Sequence, residues 1–301
     1  MKAAEKNLIV IVGPTAVGKT AVAVKVAEYF HTEILSADSR QFYRELTIGT
    51  AKPSKEELQQ IKHHFIDSHS ITEKYDAAQY ARDARELLLR LFMELDQVVV
   101  CGGSGLYIKA LLEGFDDIPD VPDEIRYQIS QRYREQGITY LQQALRELDP
   151  EGMTRIDSQN PARLMRALEV VMGTGQPIAS FQQGEKHMLP YRVIKIGLEL
   201  EREELYQRID ERMDKMIEAG LFEEAKQLYH FRQHNALQTV GYQEIFDYLD
   251  GQYDYAEAIR LLKRNSRRYA KRQLTWFRRD AEINWFNPAN IDGIIAFINQ
   301  C

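Results

Sequence analysis

Cysteine is scarce. The 301 residues hold two, Cys101 and Cys301, too few and too far apart for a disulfide framework or a cysteine-ligated metal. Cys101, inside an apolar run, reads as a small core residue. Long apolar stretches are missing too. The longest, 8–12 and 98–101, are strand-length, so no transmembrane helix is expected. Met1-Lys2 leads to the first strand without the apolar stretch of a secretory signal, which points to a cytoplasmic protein. No internal repeat or low-complexity tract is evident. Acidic residues are absent from one segment: between Arg260 and Arg279 stand nine basic side chains and no acid, so the net charge of −6 divides into +9 there and −15 elsewhere. That separation is a handle on an anionic partner. Otherwise 44% hydrophobic and 28% charged residues fit a soluble globular chain of one large or two modest domains.

What is present begins with Gly13-Pro14-Thr15-Ala16-Val17-Gly18-Lys19-Thr20, directly behind the apolar strand Leu8-Ile9-Val10-Ile11-Val12. A Gly-x-x-x-x-Gly-Lys-Thr turn between a strand and a helix aligns backbone N–H groups and a helix N-terminus on one point, which suits a polyphosphate. Lys19 adds a point charge, and the Thr20 hydroxyl can ligate Mg²⁺. Strands at 8–12, 33–37 and 97–101 alternate with helices at 19–29, 76–94 and 105–112. This rhythm predicts an α/β fold, a P-loop NTPase-like three-layer core with a parallel sheet. Its ligands should collect at the carboxyl ends of the strands.

The pattern changes at Asp116-Asp117-Ile118-Pro119-Asp120-Val121-Pro122, after which helices are expected at 123–136, 138–148 and 160–172 with no strand among them. The last carries clear punctuation: Asn160 as N-cap, Pro161 at the first helical position, Gly173 and Gly175 at its end. Its apolar stripe is Leu164, Leu168 and Val171, with Arg163 and Arg166 projecting elsewhere. A strand returns at Val193-Ile194-Lys195-Ile196-Gly197-Leu198. Residues 118–190 thus read as an all-helical insertion into a core formed by 1–117 and 191–301. Helices then dominate, including a long one over 255–277.

Asp38 ends the second strand beside the phosphate turn, where a carboxylate can take a proton from a nucleophile attacking a phosphate-anchored group. The same residue could instead simply cap a turn. The third strand, Gln97-Val98-Val99-Val100-Cys101-Gly102-Gly103, ends without the acid that helps nucleotide hydrolases hold Mg²⁺. A diphosphate leaving group therefore suits the turn better than hydrolysed ATP. The basic stretch interleaves Tyr269, Trp276 and Phe277, a pattern suited to single-stranded or loop RNA. His63-His64 would point apart on a strand and read as structural. On the residues alone, a P-loop small-molecule or nucleotide kinase and a nucleotide-switched RNA-binding protein stand as alternatives.

Seven motifs in order resemble the tRNA dimethylallyltransferase (tRNA isopentenyltransferase) family of bacterial type, over nearly the whole chain. They are the 13–20 turn, Ala37-Asp38-Ser39-Arg40-Gln41-Phe42-Tyr43, Ile48-Gly49-Thr50-Ala51-Lys52-Pro53 and His63-His64-Phe65-Ile66-Asp67. Then come Gly102-Gly103-Ser104-Gly105-Leu106-Tyr107, Asn160-Pro161-Ala162-Arg163-Leu164-Met165-Arg166-Ala167-Leu168-Glu169 and Lys271-Arg272-Gln273-Leu274-Thr275-Trp276-Phe277-Arg278. The resemblance implies transfer of a dimethylallyl group from dimethylallyl diphosphate to the N6 amine of the adenosine 3′ to the anticodon, with Mg²⁺ as cofactor. It implies that residues 15–20 hold the diphosphate and that Asp38 is the general base. Asp38, Ser39, Arg40 and Gln41 would grip the target base, and Ser104 and Arg126 would contact tRNA near the channel. Ala162, Arg163, Leu164, Met165 and Arg166, with Lys271, Arg272, Gln273 and Arg278, would bind the anticodon stem-loop. A monomer is expected. Ser104 stands where many members have Thr, which keeps the hydroxyl. Gln238 and Gln243 flank Val240-Gly241-Tyr242 where many members have Arg, so no guanidinium contact carries over to that segment.

Overall fold

The computed structural model describes residues 6–116, 118–182 and 189–301. Met1 and Lys2, Asp117 of the expected linker, and residues 183–188 of the expected insertion lie outside the described residues. The chain runs β1 (Asn7–Val12), α1 (Lys19–Tyr29), β2 (Ile34–Ser36), α2 (Lys55–Gln60), β3 (His63–His64), α3 (Ala77–Glu94), β4 (Gln97–Gly102) and α4 (Gly105–Glu113). Four helices follow: α5 (Asp123–Gln136), α6 (Ile138–Leu148), α7 (Pro150–Arg155) and α8 (Pro161–Thr174). The remainder is β5 (Arg192–Leu198), α9 (Arg202–Glu218), α10 (Leu221–Gln227), α11 (Gln243–Leu249), α12 (Tyr255–Phe277), β6 (Asn284–Phe286) and α13 (Ile291–Gln300). The chain divides into two compact units, Met1–Glu113 with Met188–Cys301, and Gly114–His187.

The larger unit holds one six-stranded sheet in the order β3-β2-β4-β1-β5-β6, every pairing parallel. β1 is central because its apolar run can be covered on both sides. Leu8, Val10 and Val12 enter one core with α3 and α4, whereas Ile9 and Ile11 enter another with α1, α9 and α13. β4 obeys the same two-residue period, with Val98 and Val100 on one side and Val99 on the other. Three layers result, as the strand and helix rhythm predicted.

The histidine pair does lie on a strand, as read from the sequence, whereas β6 escaped the pattern. β3 is only His63–His64 and β6 only Asn284–Phe286, too short and polar to show alternation. His64 Nε2 meets the Glu33 carboxylate and His63 Nδ1 meets the Ile61 carbonyl. Among the described residues no group of three or more metal-binding side chains exists, and no helix is long and apolar enough to cross a membrane.

The smaller unit closes on Ile129, Leu141, Leu145, Leu164, Leu168 and Val171. The Asn160 side chain accepts from the Arg163 N–H, Pro161 opens α8, and Gly175 closes it at φ 73°. Gly173, expected at the end of the helix, lies within its last turn. Leu164 has no exposed surface, so its side chain belongs to this core and not to an RNA-binding face, correcting the expectation drawn from the motif. Ala162 and Arg163 are exposed, Met165 and Arg166 half-buried, and Arg166 pairs with Glu169 at 3.4 Å. Arg126 faces three carboxylates of the same unit, Asp120, Asp123 and Glu169, each at 3.7–3.8 Å.

Candidate active site

The phosphate turn follows β1 because glycine permits two left-handed or crowded positions. Gly13 has φ 154°, and a Cβ there would lie 2.7 Å from the Leu198 carbonyl; Gly18 caps α1 at φ 104°. Ala16 takes φ 64°, a conformation uncommon for a residue with a side chain. Pro14 supplies a carbonyl to the Lys19 ammonium at 2.7 Å, and Val17 anchors the turn by full burial. The N–H groups of Ala16, Gly18, Lys19 and Thr20 donate to no other group among the described residues. They form a cluster of donors at the N-terminus of α1, suited to an anion.

Lys19 keeps part of its surface exposed, yet its ammonium is packed among protein atoms. Desolvation pushes its pKa down to about 8, with Arg212 adding to the fall and Asp38 opposing it. Arg212, on α9, is itself lowered by burial and held up by Asp38. No sequence motif named Arg212. The available signal was a charge at the centre of the apolar stripe formed by Ile209, Met213 and Met216 on one helix face.

Asp38 follows β2. One carboxylate oxygen, Oδ1, accepts from the Arg40 N–H at 2.9 Å and, more weakly, from the Gln41 N–H at 3.4 Å. The other, Oδ2, has no hydrogen-bond partner among the described residues. Oδ1 thus caps the turn, as the second reading of Asp38 expected, and Oδ2 is not used by it. The turn after β4 supports this arrangement. A Cβ on Gly102 would sit 2.1 Å from the Ala37 carbonyl, so only glycine lets the two strand ends approach. Ser104 is buried, and its hydroxyl accepts from the Ser39 N–H, beside Asp38 in the chain, at 2.9 Å. Gln41 donates to the Thr50 and Ala51 carbonyls at 3.3–3.4 Å, fixing the 47–51 loop. The end of β4 carries no acid, and burial drives the Cys101 thiol up to about 12, which keeps it neutral.

Thr15, Ala16, Asp38 and Arg212 line one cavity of about 100 Å³. Its lining includes polar Thr15, Asp38, Arg40, Arg212 and Tyr269 and apolar Ile209, Met213, Met216, Leu221 and Val240. A ligand with a charged head and a short branched hydrocarbon tail suits such a mixed lining. The 47–51 loop is held against it by Glu224, whose carboxylate accepts from the Thr47, Ile48 and Gly49 N–H groups and from the Tyr242 hydroxyl.

α12 spans Tyr255–Phe277, as its pattern predicted, and the basic residues along it and just past its end fall into two sets. Arg260, Lys263, Arg267 and Arg278 pair with Glu257, Asp214, Asp210 and Glu199. Arg264, Arg268, Lys271, Arg272 and Arg279 make no ion pair among the described residues, and the last four are exposed. Gln273 departs from the motif's expectation. It is buried, and its amide is spent inside the protein, so its side chain is not an RNA contact. Phe277 is likewise a core residue, whereas Trp276 packs on Gly105 and stays partly exposed.

The model of the IPP transferase family matches residues 41–280. The tRNA dimethylallyltransferase of Cytophaga hutchinsonii is 53% identical, over 97% of this chain and 96% of its own length. That of Christiangramia forsetii is 51% identical over 97% of both. Among solved structures, the full-length tRNA isopentenylpyrophosphate transferase of Bacillus halodurans superposes with a TM-score of 0.72 at 38% identity, covering 98% of this chain and 96% of that one. A eukaryotic dimethylallyltransferase solved acting on tRNA gives 0.75 at 25% identity, over 95% of this chain and 75% of that one.

Proposed function

The chain belongs to the IPP transferase family, and we propose that it transfers the dimethylallyl group of dimethylallyl diphosphate to the N6 amine of the adenosine 3′ to the anticodon in tRNA. The observation that carries this reading is one cavity whose wall joins Thr15 and Ala16 of the phosphate turn, Asp38 and Arg212 to the apolar side chains Ile209, Met213, Met216 and Leu221.

The reaction balances as one substitution. The bond between the allylic C1 and the diphosphate oxygen breaks, its electron pair leaving with diphosphate. The N6 lone pair forms the new bond to C1, and the N6 proton passes to Asp38 Oδ2. The adenine amine is a poor nucleophile because its lone pair is delocalised into the ring, so most of the barrier must be lowered at the leaving group. The free N–H groups of the 15–20 turn, Lys19 and Arg212 are aimed at that charge. A single preorganised donor of this kind is worth about 3–4 kcal/mol. Extruding a loop base costs only about a few kcal/mol, which leaves the adenine accessible to Asp38.

Mg²⁺ fits this site in one way. Thr20 offers a hydroxyl at the nest, and the described residues provide no acidic cluster, which suits an ion held chiefly by diphosphate oxygens and water. When bound, the ion would neutralise charge on the leaving diphosphate. Ser39, Arg40 and Gln41 surround the base-binding side of Asp38. Lys271 and Arg272, with Ala162, Arg163, Met165 and Arg166 on the second unit, carry the anticodon stem-loop. The enzyme would act as a monomer, on tRNA in the cytoplasm. Incubation with tRNA, dimethylallyl diphosphate and Mg²⁺ should release diphosphate without any need for ATP. Phosphoryl transfer from ATP to a small molecule, with no diphosphate release from the allylic donor, would instead favour a kinase.

A further inference from the structure

Gln273 sits between exposed, unpaired Arg272 and the core, on the helix turn that the proposed reading gives to RNA. Its amide is nearly sealed, with 7% of the residue exposed. Oε1 accepts from the Thr15 N–H at 2.8 Å, and Nε2 donates to the Gly103 carbonyl at 2.8 Å. A Cβ on Gly103 would come within 2.4 Å of Nε2, so glycine there is what admits the amide. The next residue, Ser104, holds the Ser39 N–H beside Asp38. One side chain thus bridges the diphosphate turn, the turn that supports Asp38, and the basic helix. Among side chains of this length, only glutamine presents an acceptor and a donor side by side without charge. A carboxylate could accept from Thr15 but would repel both the Gly103 carbonyl and an incoming diphosphate.

Resting on the reading given above, we propose that Gln273 is a positioning residue that sets the phosphate turn and couples it to RNA contact on α12. Its bond to the Thr15 N–H fixes the start of the turn, so the donors of Ala16, Gly18, Lys19 and Thr20 converge on the diphosphate. Arg272 directly precedes it, and Lys271 stands one residue further back. An RNA backbone that orders them orders the helix turn from which the amide projects. By linkage the effect is reciprocal: tRNA strengthens diphosphate binding by the same factor as diphosphate strengthens tRNA binding, and about fivefold or more is the usual range.

The test measures binding of inorganic diphosphate with Mg²⁺, by calorimetry, to the full chain with and without tRNA. Wild type should bind diphosphate, and bind it more tightly when tRNA is present. Gln273→Leu should weaken diphosphate binding about tenfold and abolish the gain from tRNA, while tRNA affinity alone changes less than about twofold. Gly103→Ala reaches the same contact from its other side, displacing the end of a flexible side chain, and should reproduce the phenotype. The double variant should add little to either single change, because both remove one contact. This keeps the inference testable should Gln273→Leu fold poorly. Diphosphate binding unchanged in both variants would overturn it, as would a loss of tRNA affinity in place of diphosphate affinity. Failure of wild type to bind diphosphate at all would instead strike at the proposed function.

Discussion

Raising the pH should weaken the allylic donor through Lys19, and the size of the effect follows from where its ammonium sits. Burial holds its pKa at about 8 in the free protein, against 10.5 for an ordinary lysine. An incoming diphosphate favours the charged form, so donor binding and protonation of Lys19 support each other. Below about pH 8 the ammonium is charged and donor affinity is flat; above it, affinity falls by up to about tenfold per pH unit. The fall levels off once the whole charge-assisted contact is lost, about 1.5–3 kcal/mol or roughly 10- to 150-fold. The donor's own ionisation does not confuse the window, since a phosphate's second proton leaves near pH 6. Neither does the Tyr269 hydroxyl or the Cys101 thiol, both pushed up by burial to about 12. Stability moves oppositely. The unfolded chain binds more protons than the folded one between about 8 and 10.5, so this group makes the free protein more stable as pH rises through that interval. Donor-induced stabilisation shrinks over the same interval. The assay is donor KM against pH at saturating tRNA, paired with the donor-induced shift in Tm. Lys19→Arg should bind the donor less well but with a flat profile, because a guanidinium does not titrate there. A wild-type KM that stays level through pH 8–10, or the same bend in Lys19→Arg, would refute the reasoning.

Two further outcomes follow. Asp38→Asn keeps the Oδ1 acceptor that caps the turn and removes only the proton acceptor, so single-turnover rate should drop about 10²- to 10⁴-fold with Tm nearly unchanged; a variant keeping a third of the rate would make Asp38 a turn residue alone. Changing both Lys271 and Arg272 to Ala should weaken cognate and non-cognate tRNAs alike, since phosphates carry no sequence information. The log–log salt slope should fall by about 1.4–1.8, and an unaltered slope would leave that stretch as a solvated face.

Much of the fold was legible because local signals agreed with each other. The apolar runs of β1 and β4 read as buried strands, and the caps of α8 and the full length of α12 were set by short-range chemistry. What was hidden depends on contacts distant in sequence. β6 exists as a strand only because β5 offers it a partner. Arg212 reaches Asp38 from a helix that no motif marks, and Glu224 ties down a loop some 175 residues earlier. Gln273 misled in another way. Its place in an RNA-associated motif suggested an exposed side chain, yet it shares the buried stripe of Ser266, Ala270 and Phe277 at helical spacing. Leu164 was similar, named for RNA by its motif although its own apolar stripe had already assigned it to the core.

The most direct measurement is mass mapping of tRNA after incubation with the enzyme, dimethylallyl diphosphate and Mg²⁺. The modified tRNA should be digested to oligonucleotides and then to nucleosides. The account predicts a gain of one dimethylallyl group, confined to the anticodon-loop fragment and carried on N6 of the adenosine 3′ to the anticodon. It also predicts one diphosphate released per group transferred. A tRNA of unchanged mass, or a gain on another base, would contradict it.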